Sequence, residues 1–237
     1  MLSGCATLYN PATEKKEIIF IDTASEVDLG REMDREIRRK FKIIDEPVVN
    51  LRLNRIGRKV ADASDRKDLT YRFSAIKDDE LNAFAVPGGF IYVNRGLIDA
   101  ATDDELACVL GHEIGHLAAR HSVKRMQAVL GYQIVTGIAL GLSGARNLGS
   151  ALDVVFNVVN LGYSRSDEYL ADRLAVRYAW RSGFDPHAML TFFEKLKKEA
   201  ERKGAGVRLV FLSSHPPLER RKENVNREIS IWEQRPR

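Results

Sequence analysis

The chain has 237 residues, a formal net charge of +4, 44% hydrophobic residues and 30% charged ones. That length carries one substantial core, and the balance is ordinary for a globular protein rather than a disordered chain. The basic residues are scattered, which leaves no nucleic-acid footprint, and two cysteines, Cys5 and Cys108, exclude a disulfide framework or a cysteine-rich metal knuckle.

Leu2-Ser3-Gly4-Cys5 resembles the lipobox at which bacterial lipoprotein precursors are cleaved and lipidated, although no charged n-region or apolar h-region precedes it. The resemblance implies a lipid anchor at Cys5 and a periplasm-facing place in the bacterial cell envelope. Ala6 after the cysteine points to the outer membrane. Residues 6–17 are polar, contain Pro11 and lack periodicity. Residues 1–17 therefore read as a lipobox remnant and tether, and 18–237 as one domain.

Val27 to Phe41 carries Leu29, Met33, Ile37 and Phe41 at helical spacing and predicts an amphipathic helix. Pro47 can open a second helix through Val60, with Val48, Leu51, Ile56 and Val60 inward. Both read as scaffold. Leu69 to Ile76 alternates apolar and polar residues, as a strand does. Asn82 to Val86 reads as a second strand, Pro87-Gly88-Gly89 as a turn, and Phe90 to Val93 as a third strand. Together they predict a small antiparallel sheet.

Leu106 to His121, LACVLGHEIGHLAARH, is the decisive stretch. Thr102 to Glu105 has the form of a capping box, and Leu106, Leu110, Ile114 and Leu117 make a buried helical stripe. His112 and His116 are four apart, hence on one face, where neutral imidazoles can bind one Zn²⁺. Glu113 can reach a water on that metal and take its proton. Gly111 and Gly115 each cost a helix about 1 kcal/mol relative to Ala, so something is expected to pack closely against them. Cys108 reads as a small buried residue beside the site. In zinc peptidases an edge strand near the metal can bind an extended substrate. That task falls to the strand carrying Asn82, Ala83, Phe84 and Ala85, or to its neighbour.

Val129 to Leu142 and Val154 to Leu161 are apolar, but neither reaches the roughly 18–20 residues needed to span a bilayer. They predict buried or interfacial helices around a loop. In Ser164 to Trp180, Asp167 or Ser166 can cap a helix. Glu168 and Asp172 share one face of it. After an HExxH motif these carboxylates become candidates for a third metal ligand and for support of a ligand histidine. The metzincin pattern fails, because positions 119 and 122 hold Ala119 and Ser122, and His121 is left structural or exposed. A helix follows Gly183–Pro186, with Met189, Phe192, Phe193 and Leu196 inward. His215, held extended before two prolines, could donate to an oxyanion.

HEIGH at 112–116, EYLAD at 168–172, SSHPPLERR at 213–221 and NAFAVPGGFIYVNRGL at 82–97 together resemble the gluzincin metallopeptidases of the CaaX prenyl protease, HtpX and BepA type. The resemblance implies His112, His116 and Glu168 as ligands of one Zn²⁺ and Glu113 as general base. It implies Asp172 in support, and His215 and Arg221 as stabilisers of the transition state. In some relatives the equivalent of His215 is thought to sit on the zinc and hold the enzyme latent, so both roles stay open. Without transmembrane helices or a helical-repeat domain, the chain resembles a minimal catalytic domain of that group.

The expected fold is α+β and mostly helical, a zincin-like metalloprotease domain with a small antiparallel sheet beside the HExxH helix. The expected function is a zinc endopeptidase acting on misfolded or unassembled envelope proteins. A rival is a non-proteolytic assembly factor that holds such proteins with a latent zinc site. An aminopeptidase would need a pocket for a free amine, which no residues suggest.

Overall fold

A computed structural model describes residues 6–128, 162–203, 215 and 218–235. The lipobox-like front and the apolar 129–161 region lie outside those residues. The elements are β1 (Ala6–Asn10), β2 (Lys15–Ile19), α1 (Thr23–Lys40), α2 (Pro47–Asp62), β3 (Arg72–Ile76), β4 (Ala83–Val86), β5 (Phe90–Asn94), α3 (Arg95–Ala100), α4 (Asp103–Ala118), α5 (Arg165–Arg181), α6 (Ala188–Lys203) and α7 (Leu218–Glu233). Residues 121–128 are also helical. The architecture is the expected mostly helical α+β type. Among the described residues, no helix is long and apolar enough to cross a membrane.

Residues 6–17 do not form a tether. β1 and β2 pair antiparallel as a hairpin, with Ala6 opposite Ile19 and Asn10 opposite Lys15. Composition hid this because the hairpin is held by long-range contacts. Asn10 accepts from Ala12 N at 2.9 Å to shape the turn, and its Nδ2 donates to the Ala118 carbonyl at 3.2 Å. That bond satisfies a carbonyl at the C-terminal end of α4.

α1 starts at Thr23, ahead of the apolar run, because the Asp22 side chain accepts from Ser25 N at 2.8 Å as N-cap. Its buried Gly30 lies against the Pro87 carbonyl, where an added Cβ would sit only 2.0 Å away. The helix thereby fixes the turn between β4 and β5. α2 buries Val49, Leu53, Ile56 and Val60. Val48 and Leu51, expected inward, are 80% and 70% exposed. Gly57 decides the face: the Phe73 ring lies where a Cβ would be 2.7 Å away.

The sheet has the order β3-β5-β4. β4 and β5 form the expected antiparallel hairpin, Ala83 opposite Val93 and Val86 opposite Phe90. β3 joins the other edge of β5 in parallel, so the sheet is mixed rather than wholly antiparallel. Alternation identifies a strand but not its direction. β5 is buried along its whole length, between α1 on one side and the main core on the other.

α4 and α5 make the closest helix contact. An added Cβ on Gly111 would lie 3.1 Å from Ala175 Cα, and one on Gly115 would lie 3.1 Å from the Ala171 carbonyl oxygen. The two glycines thus let the α5 backbone lie directly on α4. α6 and α7 close the far side with Phe192, Phe193, Leu196, Val225 and Ile229.

Candidate metal centre

Both helices that carry the site are capped at their first turn. Thr102 accepts from Glu105 N at 3.2 Å, and the Glu105 carboxylate accepts from Thr102 N at 2.8 Å. α5 is capped by Ser164, in a capping box with Asp167, rather than by Asp167 or Ser166. With their origins fixed, the two helices cross at Gly111 and Gly115. That crossing sets His112 and His116 of α4 against Glu168 and Asp172 of α5.

Four donors converge: His112, His116, Glu168 and His215, all buried, with one ligand atom of each within 4.8 Å of the others. His112 Nε2 lies 3.1 Å from His116 Nε2, 3.3 Å from His215 Nδ1 and 3.6 Å from Glu168 Oε2. Glu168 Oε1 lies 3.4 Å from His116 Nε2 and 2.8 Å from His215 Nδ1. A tetrahedral divalent ion with bonds of about 2.0–2.2 Å keeps its ligands about 3.3–3.6 Å apart. The observed separations, 2.8–3.6 Å, lie in or just inside that range, and the N/O donor set suits such an ion.

The outer nitrogens and oxygens are also held. His112 Nδ1 lies 2.9 Å from Asp172 Oδ1. Arg221 donates to Asp172 twice, Nε to Oδ2 and Nη2 to Oδ1, both at 2.7 Å. Its Nη1 donates to the His215 carbonyl at 3.2 Å and lies 3.1 Å from Glu168 Oε2. Its guanidinium stacks over Phe193. Glu113 is buried beside the cluster, its Oε1 without a hydrogen-bond partner among the described residues and 3.8 Å from His215 Nε2.

These contacts set the proton affinities. Burial raises the Glu113 carboxyl, and His215 and His112 only partly oppose it. Burial also opposes ionisation of Glu168, but the charge and hydrogen bond of His215 and the bond from His116 outweigh it, so Glu168 is held far below the carboxylate range. Asp172 is held low against burial by Arg221. Burial pushes His116 down to about 3. His215 moves up, because Glu168 overcomes the effect of burial.

The structure therefore brings Glu113, His112, His116, Glu168, Asp172, His215 and Arg221 into one buried centre. Asn82 lies just ahead of β4, which carries Ala83, Phe84 and Ala85 and packs against α4. Cys108 is buried and contacts the carbonyl of Asp185. Two residues were not found by motif. His121 is buried, not exposed, and its Nδ1 lies 2.9 Å from His116 Nδ1. Tyr163 stacks on the His116 ring at 3.9 Å between centroids. No sequence signal marks the turn that delivers His121, because Arg120 takes a left-handed φ of 55° where glycine would be usual.

A capped HExxH helix, a glutamate from a later helix and a small sheet packed on the first define a zincin-like metallopeptidase. Comparison with known proteins makes this specific: the chain belongs to peptidase family M48, whose family model matches residues 47–229. It is similar to the metalloprotease LoiP of Escherichia coli strain K12, 30% identical over 182 residues that cover 76% of this chain and 70% of that one. It is 31% identical to the mitochondrial metalloendopeptidase OMA1 of Schizosaccharomyces pombe, covering 77% of this chain and 52% of that one. It is 29% identical to the β-barrel assembly-enhancing protease of E. coli K12, over 76% of this chain. The match spans only 39% of that longer relative.

Proposed function

We propose that the chain is a zinc-dependent endopeptidase that cleaves unassembled or misfolded proteins of the bacterial envelope. The observation that carries this reading is the convergence of three imidazoles and a carboxylate next to the unpartnered Oε1 of Glu113. In this reading His112, His116 and Glu168 hold one Zn²⁺, which supplies Lewis-acid activation of a carbonyl and of water when bound. Glu113 takes the proton from the attacking water and returns it to the leaving nitrogen. Burial raises its proton affinity, the direction that makes a carboxylate a better proton acceptor. Arg221 is engaged by Asp172, Glu168 and the His215 carbonyl, so its work is to hold those groups rather than to meet the substrate.

β4 supports the substrate assignment. Asn94 N donates to the Asn82 carbonyl at 2.9 Å, which makes residues 82 and 94 a hydrogen-bonded pair of the ladder. By alternation, the backbone groups of Ala83 and Ala85 face away from β5. Among the described residues no strand pairs with that edge. Ala83 and Ala85 are buried, 0% and 3% exposed, so an extended chain adds there as a further strand, read through its backbone, only once that edge is uncovered. The name of the β-barrel assembly-enhancing relative favours an envelope location, and the lipobox-like Cys5 favours a lipid anchor.

The position of His215 favours a second reading. Its Nδ1 occupies the fourth corner of the donor set, which in the enzyme belongs to water. Were His215 a permanent ligand, the centre would be latent and the groove would only hold its clients. Glu113→Gln separates the two readings. We expect it to keep stoichiometric zinc and to lose cleavage of casein by at least 10²-fold. Chelator-sensitive turnover in the parent chain supports the enzyme; stoichiometric binding without turnover, unchanged by Glu113→Gln, supports the holding factor.

A further inference from the structure

The two α4 histidines are supported in different ways. His112 Nδ1 meets the carboxylate of Asp172, itself locked by Arg221. Among the described residues, His116 Nδ1 meets no carboxylate. Its partner at 2.9 Å is His121 Nδ1, in a neighbouring ring tilted by 71°. We infer that His121 is a positioning residue that fixes the orientation and tautomer of His116 through an imidazole-to-imidazole hydrogen bond. The inference rests on the reading of His116 as a metal ligand.

Two ring nitrogens 2.9 Å apart can share only one hydrogen. His116 Nε2 is the atom that converges with His112 Nε2 and Glu168 Oε1, so its lone pair belongs to that cluster. The hydrogen of His116 is therefore on Nδ1 and is donated to His121 Nδ1. His121 must then carry its own hydrogen on Nε2. Asp167 Oδ1 lies 3.5 Å from that nitrogen and favours the same tautomer. The other oxygen of Asp167, Oδ2, accepts from Ser164 N at 3.2 Å and from Ser164 Oγ at 2.7 Å. Asp167, the capping-box partner of Ser164 on α5, thus also orients the histidine that orients the ligand on α4.

The same turn supplies the second support. Ser122, next to His121, shares a hydrogen with the Tyr163 hydroxyl at 2.7 Å, and Tyr163 lies nearly parallel over the His116 ring. The turn is anchored by Arg120, which donates to the Ile21 carbonyl and to Thr23 Oγ1, each at 3.1 Å. His116 is in this way held at its Nδ1 and on its face by residues from one short turn and from the approach to α5. An imidazole acceptor polarises a ligand histidine less than a carboxylate does. The two histidines are therefore unequal donors, His112 the stronger.

Two substitutions separate this role from simple packing. His121→Asn places an amide oxygen where Nδ1 now accepts, but leaves part of the ring volume unfilled. His121→Phe fills the ring volume and removes the acceptor. Zinc affinity is measured by chelator competition on the full chain, with the thermal midpoint of the metal-stripped protein as the control for folding. We expect His121→Phe to weaken zinc 10- to 100-fold and His121→Asn to stay within about threefold of the parent. Parental affinity in His121→Phe, or an equal loss in both variants, overturns the inference. Loss of zinc in His116→Ala without loss in His121→Phe overturns it while leaving the metal site intact. A parent chain that binds no zinc overturns both. Should His121→Phe fail to fold, ¹⁵N spectra of the zinc-loaded parent decide: His116 as the Nδ1–H form and His121 as the Nε2–H form are expected, and the reverse tautomers refute the assignment.

Discussion

Replacing Gly111 and Gly115 together by alanine probes how the fold builds the centre. Each new Cβ would sit 3.1 Å from its nearest α5 atom, Ala175 Cα for Gly111 and the Ala171 carbonyl oxygen for Gly115, so the facing chain must yield by a few tenths of an ångström. Two terms oppose each other. Helix propensity favours each alanine by about 1 kcal/mol. Overpacking costs about 1–3 kcal/mol per site. Net stability should therefore fall by roughly 0–4 kcal/mol. Metal affinity should fall further than stability, because the retreat falls on Ala171 and Ala175, which bracket Asp172, one turn from Glu168. A metal site tolerates displacements of only about 0.5 Å. The expected result is a loss of zinc affinity of tenfold or more, read by chelator competition, with a modest drop in the thermal midpoint. A double variant whose midpoint rises by about 4–8 °C, the full propensity gain, with unchanged zinc affinity would refute the close-packing argument.

Asp172→Asn keeps the shape but removes the charge shared by His112 and Arg221; zinc affinity should fall 10- to 100-fold, as measured by competition, while Asp167→Asn should cost less. Glu26 is buried against Arg66, which also donates to the Leu117 carbonyl at the end of α4. Glu26→Ala removes the buried one of the two carboxylates that hold that guanidinium, leaving the half-exposed Asp68, and should lower stability by about 1–3 kcal/mol in urea denaturation. Glu105 is held below its usual value although burial opposes it, because Lys195, Thr102 N and Thr191 donate to it. A carboxyl lowered in the fold stabilises above its unfolded pKa and loses that contribution as pH falls through the folded one. Lys195→Met should therefore flatten the acid limb of stability below about pH 4.5 in pH-dependent thermal melts; an unchanged limb would count against the pair.

The parts of this structure readable in the sequence are those set by local rules. The Thr102–Glu105 cap, the stripe through Leu106, Leu110, Ile114 and Leu117, and the one-turn spacing of His112 with His116 and of Glu168 with Asp172 all lie within single helices. Features decided between elements were not readable. Val48-Leu51 and Val49-Leu53 are equally good helical stripes, and only Phe73 lying on Gly57 chooses between them. β3 alternates correctly yet pairs in parallel. The β1–β2 hairpin depends on Asn10 reaching Ala118, more than a hundred residues away. His121 sits five residues after His116, which on a straight helix would place it on another face. The left-handed Arg120 returns it to the site.

Charge balance explains why so polar a centre can be buried. Glu113, Glu168 and Asp172 are three carboxylates within the core, and among the described residues Arg221 is the one buried cation facing them. With the ligand histidines neutral, as metal binding requires, two negative charges remain. Uncompensated charge in a protein interior is costly enough that groups take up protons instead. The direction of the shifts follows this rule. Glu113 and His215 are both displaced toward their protonated forms, whereas Asp172 and Glu168, which lie against Arg221, are held toward their ionised forms. A divalent cation cancels the same two charges directly.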